Sequence, residues 1–230
     1  MCSSDLMFAA TGSNGVLAQS YPSKPIRVVS PYPPGGSTDI VARLVGPKLA
    51  ASMGQPVVVE NRAGASGMIG SDVVAKAAPD GYTLLFTTPG THTAVKFTIR
   101  SVPYDPVADF TPITAAVTQS GLILVNNASR LRSFRELIDY AKKNPGKLSF
   151  ATAGLGTSFH VTGELLKRAA GIDMQHIPYK GGVPVAQAIT SGEVPVALVS
   201  NTSGVSTVKT GKVSAVAVLG EKRLREIPEV

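Results

Sequence analysis

The 230-residue sequence contains one cysteine, Cys2, and no tryptophan. A single cysteine excludes an intrachain disulfide and a cysteine-rich metal site, and it leaves the cellular compartment open. No segment reaches the run of about 18 to 20 apolar residues that a membrane-spanning helix requires. The three histidines, His92, His160 and His176, are far apart and lack metal-ligand spacing. We therefore predict neither a metal site nor a cofactor.

Signatures of catalysis are also missing. The stretch "GLGTSF" (154–159) has two glycines of a dinucleotide fingerprint but not the third, and "GASG" (64–67) is one residue short of a nucleophile elbow. The sequence contains no Walker A motif and no nucleophile–base pair. We predict that the protein is not an enzyme and has no catalytic residues. The alternative is an enzyme that binds a small acid in a cleft between two lobes, and turnover of the bound acid would support it.

Positive charge is in modest excess over negative charge, with a formal net charge of +7 at pH 7. The lysines and arginines are scattered, and the densest run, "EKRLRE" (221–226), carries its own acids. A nucleic-acid partner is not predicted, because reading a duplex needs a continuous basic face. With 43% hydrophobic and 16% charged residues the chain is typical of a globular protein, whose mildly cationic surface favours anionic ligands.

Both ends of the chain look cut. Residues 1–20 are mostly small and apolar, and we interpret them as a truncated signal-peptide remnant or an artefact; an ordinary disordered N-terminus is the alternative. The chain halts at "EKRLREIPEV" without a closing helix or polar tail. We expect a fragment of an exported protein.

What the sequence does contain is a regular alternation of strand and helix patterns, which predicts an α/β fold. A proline-dotted stretch, 101–113, interrupts it and predicts two doubly wound lobes with a ligand cleft between them. We place the first lobe at 21–115, the second at 116–218, and a crossover toward the first lobe at 219–230. Strands are predicted at 26–30, 56–61, 82–88, 121–127, 147–153, 174–179, 194–200 and 213–219, and helices at 38–53, 66–77, from 133 on, 158–170 and 183–191.

Apolar periodicity predicts which helix faces are buried. In the first helix these are Ile40, Val41, Leu44, Val45 and Leu49. In the second they are Met68, Ile69, Val73 and Val74.

Gly-rich polar loops follow six of the strands: "YPPGGSTD" (32–39), "NRAGASG" (61–67), "TPGTHT" (88–93), "TAGLGTSFH" (152–160), "YKGG" (179–182) and "SNTSG" (200–204). Ligands of open α/β sheets bind beyond the carboxyl ends of the strands, where helix N-termini converge. Unpaired N–H groups and the helix dipole favour an anion there. Ordinary turn and capping chemistry is the alternative for any single loop. Six loops together predict a site for a small anion such as a carboxylate.

Several segments resemble the Bug family, the extracytoplasmic solute receptors of tripartite tricarboxylate transporters. The resemblance covers residues 21–230 and includes "PYDPVADFTPI" and "LSFATAGLGTSFHVTGELL". It is most specific in the combination of "YPPGGSTD" leading into a helix with "ENRAGASG". It implies a type II periplasmic-binding-protein fold, a periplasmic location, a small carboxylate ligand and membrane permease subunits as partners. It also implies a monomer whose first lobe is completed by a C-terminal part that is missing here. A sensory role, with a membrane signalling partner instead of a transporter, is the alternative output.

The resemblance also implies a set of ligand-binding residues. The first lobe would supply Tyr32, Gly36, Ser37 and Thr38, with Gly64 and Ala65 nearby. The second lobe would supply Thr152, Ala153, Gly156, Thr157, Ser158 and His160. The segment "VSNTSG" (199–204) departs from the aspartate-containing stretch typical of many relatives, and Asn201 is predicted there instead. Backbone and hydroxyl donors, rather than an arginine clamp, would hold the carboxylate.

Overall fold

The first lobe is built on a three-stranded parallel sheet of order β2-β1-β3. The structure is a computed structural model that describes residues 20–230; the predicted leader, 1–20, lies outside this range apart from residue 20. The elements of the first lobe are β1 (Ile26–Ser30), α1 (Ser37–Met53), β2 (Val57–Asn61), α2 (Met68–Ala75), β3 (Thr83–Leu85) and α3 (Val95–Thr98).

The second lobe is built on a five-stranded sheet of order β6-β5-β7-β4-β8. Its elements are β4 (Gly121–Asn126), α4 (Phe134–Lys143), β5 (Leu148–Thr152), α5 (Ser158–Ala170), β6 (Met174–Pro178), α6 (Gly182–Ser191), β7 (Val196–Ser200), α7 (Asn201–Val208) and β8 (Val213–Leu219). Strand β4 is fully buried and runs antiparallel to β7 and β8, while β5 is parallel to β6 and β7. Apolar clusters cover both faces of this sheet. The predicted α/β fold is confirmed.

The segment that joins the two sheets is irregular and exposed. Residues 111–119 are all exposed and belong to no helix or strand. At the other end of the second lobe, Ile227 is buried and, with Leu224 and Val230, packs against the core around β4 and β7. The described tail therefore lies on the second lobe. The lobe boundaries at 115, 116 and 218 stay predictions.

The prediction of which α1 face is buried is wrong for its large side chains. Leu44 is 66% exposed, and Ile40 and Leu49 are also exposed. The buried residues of this helix are small or polar: Thr38, Asp39, Ala42 and Gly46. A Cβ atom placed on Gly46 would lie 3.5 Å from Val57 of β2, so the helix approaches the sheet through its smallest residues.

The same correction applies to α2, where Gly70 and Ser71 are buried and Ile69 is 50% exposed. Gly70 packs against Pro31 and the carbonyl of Arg62, so that a Cβ atom there would be 2.7 Å from Pro31. Within residues 20–230, no helix combines the length and the hydropathy needed to cross a bilayer.

Candidate functional site

A cavity of about 370 Å³ opens between the two lobes, where the strands of both sheets end. Its first-lobe wall contains residues that follow β1 and β3, and its second-lobe wall contains residues that follow β5, β6 and β7. The predicted site residues that line it are Tyr32, Gly36, Ser37, Thr38, Ala153, Thr157 and Ser158. Segments 36–38 and 157–158 thus lie on one cavity, as a shared anion site requires.

The two lobes are in contact around this cavity. A Cβ atom placed on Gly35 would lie 3.5 Å from Val183, and one placed on Gly90 would lie 3.4 Å from the Cα atom of Thr157. One placed on Gly181 would lie 2.8 Å from Pro33. Loops of the two lobes therefore approach each other closely at these glycines, and residues from both lobes line the cavity.

The Pro/Gly-rich bend before α1 is held by Asp39, which is buried. Its carboxylate accepts hydrogen bonds from Gly35 N–H (2.9 Å) and from Arg43 Nε (2.9 Å). Arg43 also donates to Asn61 Oδ1 (3.1 Å), and Asn61 Nδ2 donates to the carbonyl of Tyr32 (3.0 Å). Burial alone would raise the pKa of Asp39, but the hydrogen bond from Gly35 and the charge of Arg43 outweigh it and hold that pKa below its usual value. Asp39 thus shapes the bend.

The N-terminus of α1 keeps its donors free. Gly36 is the N-cap, and no side chain caps the helix. The N–H groups of Ser37, Thr38 and Asp39 make no hydrogen bond to the described residues. The hydroxyl of Thr38 is paired with Ser30 at 2.9 Å, whereas the hydroxyl of Ser37, which lies on the cavity, has no partner among residues 20–230. These groups form a donor array of the kind that binds anions at helix starts.

The helices of the second lobe that begin at the cavity divide into two kinds. Helix α5 is capped by its own Thr157, whose hydroxyl accepts from His160 N–H (3.4 Å), and α7 is capped by Ser200, which accepts from Ser203 N–H (3.5 Å). Helix α6 begins after Gly181 and has no side-chain cap. Its start adjoins α7, because a Cβ atom placed on Gly182 would lie 3.8 Å from Ser203 Oγ.

Three predicted residues lie behind the second-lobe loop instead of on the cavity. Thr152 is fully buried, and its hydroxyl pairs with His176 Nε2 at 2.7 Å. Gly156 N–H donates to His160 Nδ1 at 3.0 Å, so that ring nitrogen is an acceptor. The rings of His160 and His176 stack with centroids 4.1 Å apart. Burial lowers the pKa of both histidines, to about 4 for His176. They shape the loop as neutral rings.

Gly64 and Ala65 also lie outside the cavity lining, in a strained loop that touches the other lobe. Ala65 (φ 45°) and Ser66 (φ 56°) are left-handed, which is uncommon for residues other than glycine and is retained where the surroundings enforce it. Ser66 makes the contact with the second lobe, since a Cβ atom placed on Gly154 would lie 2.7 Å from the Ser66 hydroxyl. The hydroxyl of Tyr32 donates to the Ser66 carbonyl (3.4 Å) and links this contact to the cavity.

Asn201 does not line the cavity. Its N–H donates to the carbonyl of Ser120 at 2.9 Å, and its buried Oδ1 has no hydrogen-bond partner among the described residues. The neighbouring Ser200 and Ser203 line the cavity instead. Helix α7, which begins at Asn201, was not predicted, and recognising Ser200 as its cap would have pointed to these serines.

The remaining lining residues include apolar side chains, most of which lie outside the predicted loops. They are Val41, Phe86, Pro89, Val117, Phe159, Leu198 and Val199. No lining residue is charged. Within residues 20–230, no group of three or more histidine, cysteine, aspartate or glutamate residues could hold a metal ion. An anion in this cavity would be held by dipoles and hydroxyls.

Residues 41–230 match the family described as "Tripartite tricarboxylate transporter family receptor". The chain belongs to this family. BugT of Bordetella pertussis is 39% identical over 217 residues, which are 94% of this chain and 66% of BugT. A UPF0065 protein of a Pseudomonas species is 42% identical over 211 residues, covering 92% of this chain and 62% of that protein. The resemblance to the Bug family is confirmed, and the chain spans about two thirds of the length of these relatives.

Solved structures support the same family. A Rhodopseudomonas palustris protein determined with adipate matches with a TM-score of 0.85 and 33% identity, over 88% of this chain and 68% of that one. MatC from the same species, determined with malate, matches with a TM-score of 0.85 and 32% identity, over 91% and 71% of the two chains. The tripartite tricarboxylate transporter receptors are solute-binding proteins, which confirms the prediction that this chain is not an enzyme.

Proposed function

We propose that this chain is the ligand-binding part of a periplasmic receptor that captures a small carboxylate between its lobes and delivers it to the permease subunits of a tripartite tricarboxylate transporter. The observation that carries the proposal is the cavity itself. Both lobes line it with hydroxyls and helix starts, and none of its lining residues is charged. The adipate and malate bound by structural neighbours support a carboxylate as the ligand.

The donors suit a carboxylate on physical grounds. A helix N-terminus stabilises an anion by about 0.3–1 kcal/mol when exposed and by up to ~2 kcal/mol when partly buried. Hydrogen bonds to a charged group contribute about 1.5–3 kcal/mol each. Ser37 and Ser158 line the cavity from opposite lobes, and neither hydroxyl has a hydrogen-bond partner among residues 20–230. A ligand that engaged both would favour the closed arrangement over an open one.

Thermal unfolding in the presence of a panel of mono-, di- and tricarboxylates tests the proposal. A ligand at a hundredfold excess over its Kd stabilises the folded protein by about 2.7 kcal/mol. For a chain of this size that corresponds to a rise in Tm of roughly 5–11 °C. If no carboxylate in the panel changed Tm, the proposal would be wrong.

Substitutions of the two serines test the donors. Ser37→Ala and Ser158→Ala should each weaken carboxylate binding by roughly 10- to 150-fold, the equivalent of one hydrogen bond to a charged group. Ser101→Ala is the matched control, because Ser101 is exposed and lies outside the cavity lining. Uptake of a labelled carboxylate by vesicles that carry the permease subunits, measured with and without the receptor, tests delivery.

A further inference from the structure

The cavity is lined both by helix starts and by apolar side chains. The starts of α1 and α6 lack side-chain caps and lie next to each other, since Gly35 approaches Val183. Ser203, at the start of α7, adjoins Gly182 and adds a hydroxyl there. Helices α5 and α7 each use one N–H group for their own side-chain caps. In α5 the N–H groups of Ser158 and Phe159 still have no partner among residues 20–230, and the first turn of α6 offers those of Gly182 and Val183, because Pro184 has no N–H. Free donors therefore lie at the starts of α1, α5 and α6.

Apolar side chains make up a further part of the lining. First-lobe residues, the joining segment and the second lobe all contribute hydrocarbon side chains, namely Val41, Phe86, Val117, Phe159, Leu198 and Val199. Two of these are aromatic rings, which favour stacked or edge-to-face contact with another ring. The volume of about 370 Å³ lies at the small end of the range for small-molecule sites.

We propose, on the basis of the function proposed above, that the ligand is a monocarboxylate with an apolar body, such as an aromatic or alicyclic acid. Its carboxylate would lie among the starts of α1, α5 and α6. Its body would pack against Phe86 and Phe159. A second carboxylate placed among these apolar side chains would lose its hydration without gaining a cation, because no lysine, arginine or histidine lines the cavity.

Matched acids that differ in one group test the proposal by calorimetry with the purified protein. Hexanoate and adipate have the same number of carbons, and benzoate and terephthalate share one ring. We expect the monocarboxylate of each pair to bind at least about tenfold more tightly, the discrimination expected when an ion is buried without a partner. Adipate or terephthalate binding as tightly as its partner would overturn this inference and leave the proposed function standing. Binding of no carboxylate at all would overturn both.

A variant that adds a cationic side chain to the cavity tests whether its absence disfavours a second carboxylate. Val117 lines the cavity from the exposed joining segment, so Val117→Arg places a guanidinium at the cavity with little risk to folding. We expect this variant to shift the preference from hexanoate toward adipate by at least about tenfold. Val107→Arg is the control, since Val107 is 74% exposed and does not line the cavity. An unchanged hexanoate-to-adipate ratio in the Val117 variant would count against the proposal.

Discussion

Substitution of Gly156 by alanine should weaken ligand binding by obstructing the contact between the lobes. Gly156 has a φ of 71°, and a Cβ atom placed there would lie 2.5 Å from Thr98 Oγ1. Thr98 belongs to α3 of the first lobe, whereas Gly156 belongs to the loop before α5 of the second. The added methyl group therefore strains the backbone and also collides with the other lobe.

The two effects can be separated with a second glycine. Gly171 has a φ of 64°, but a Cβ atom there meets nothing within 4 Å. Left-handed backbone costs a non-glycine residue about 1–2 kcal/mol, so both alanine variants should lose a similar amount of folding free energy. Only Gly156→Ala must also relieve an overlap between the lobes, and overpacking of this kind costs about 1–3 kcal/mol. If that cost falls on the closed state, affinity drops roughly 5- to 150-fold.

Calorimetric Kd values and Tm values for both variants, measured with the carboxylate that gives the largest thermal shift, test this reasoning. We expect equal losses in Tm but weaker binding only for Gly156→Ala. Adding Thr98→Ala to that variant should restore affinity, because it removes the hydroxyl that the new methyl group meets. Equal affinity for the two single variants, or no rescue by Thr98→Ala, would refute the assignment of a lobe–lobe clash.

Three further predictions concern stability. Gly163→Ala should lower the free energy of unfolding, measured in urea, by about 1–3 kcal/mol, because the new Cβ atom would overlap the ring of Phe150. This loss is expected although alanine favours a helix more than glycine does. Gly46→Ala is the control: its Cβ atom has room, so the substitution should be neutral or stabilise the protein by up to about 1 kcal/mol. Burial and the stacked imidazole of His160 lower the pKa of His176 to about 4, below its value in the unfolded chain. The neutral ring therefore contributes fully to folding stability above about pH 6.5, and this contribution is lost as the pH falls toward 4. His176→Gln should therefore flatten the decline of Tm between pH 7 and 4. Ser133→Ala should lower the free energy of unfolding in urea by about 1 kcal/mol, since the Ser133 hydroxyl caps α4.

Much of the fold could be predicted because strand and helix periods differ. Strands β1 and β8 and helix α5 begin and end at the predicted residues. The direction of β4 could not be predicted, because a fully buried strand has the same apolar pattern whether it runs parallel or antiparallel to its neighbours. The buried faces of α1 and α2 were mistaken for a related reason. Periodicity gives weight to large apolar residues, whereas these helices approach the sheet through Ala42, Gly46 and Gly70.

The position of the cavity was predicted in outline for a topological reason. Parallel strands end at one edge of a sheet, so the polar loops that follow them meet, and Ser37 and Ser158 come to line one cavity. The sequence does not reveal which polar groups bond to each other. Thr152 and His160 belong to loops of the right composition, yet their hydrogen bonds are made to His176 and to Gly156. Only coordinates distinguish donors that face the cavity from donors that hold the loop.

An acid near the start of α1 raises a physical question, because a carboxylate at a helix N-terminus repels a second anion. Asp39 is turned toward Gly35 N–H and is paired with Arg43 one turn later, so its charge is largely balanced within the first lobe. It also leaves the N–H groups of Ser37 and Thr38 unbonded, because it accepts from the bend and not from the helix. An anion in the cavity therefore meets free helix donors with no facing carboxylate. A cavity lined by no cationic side chain can select for negative charge in this way.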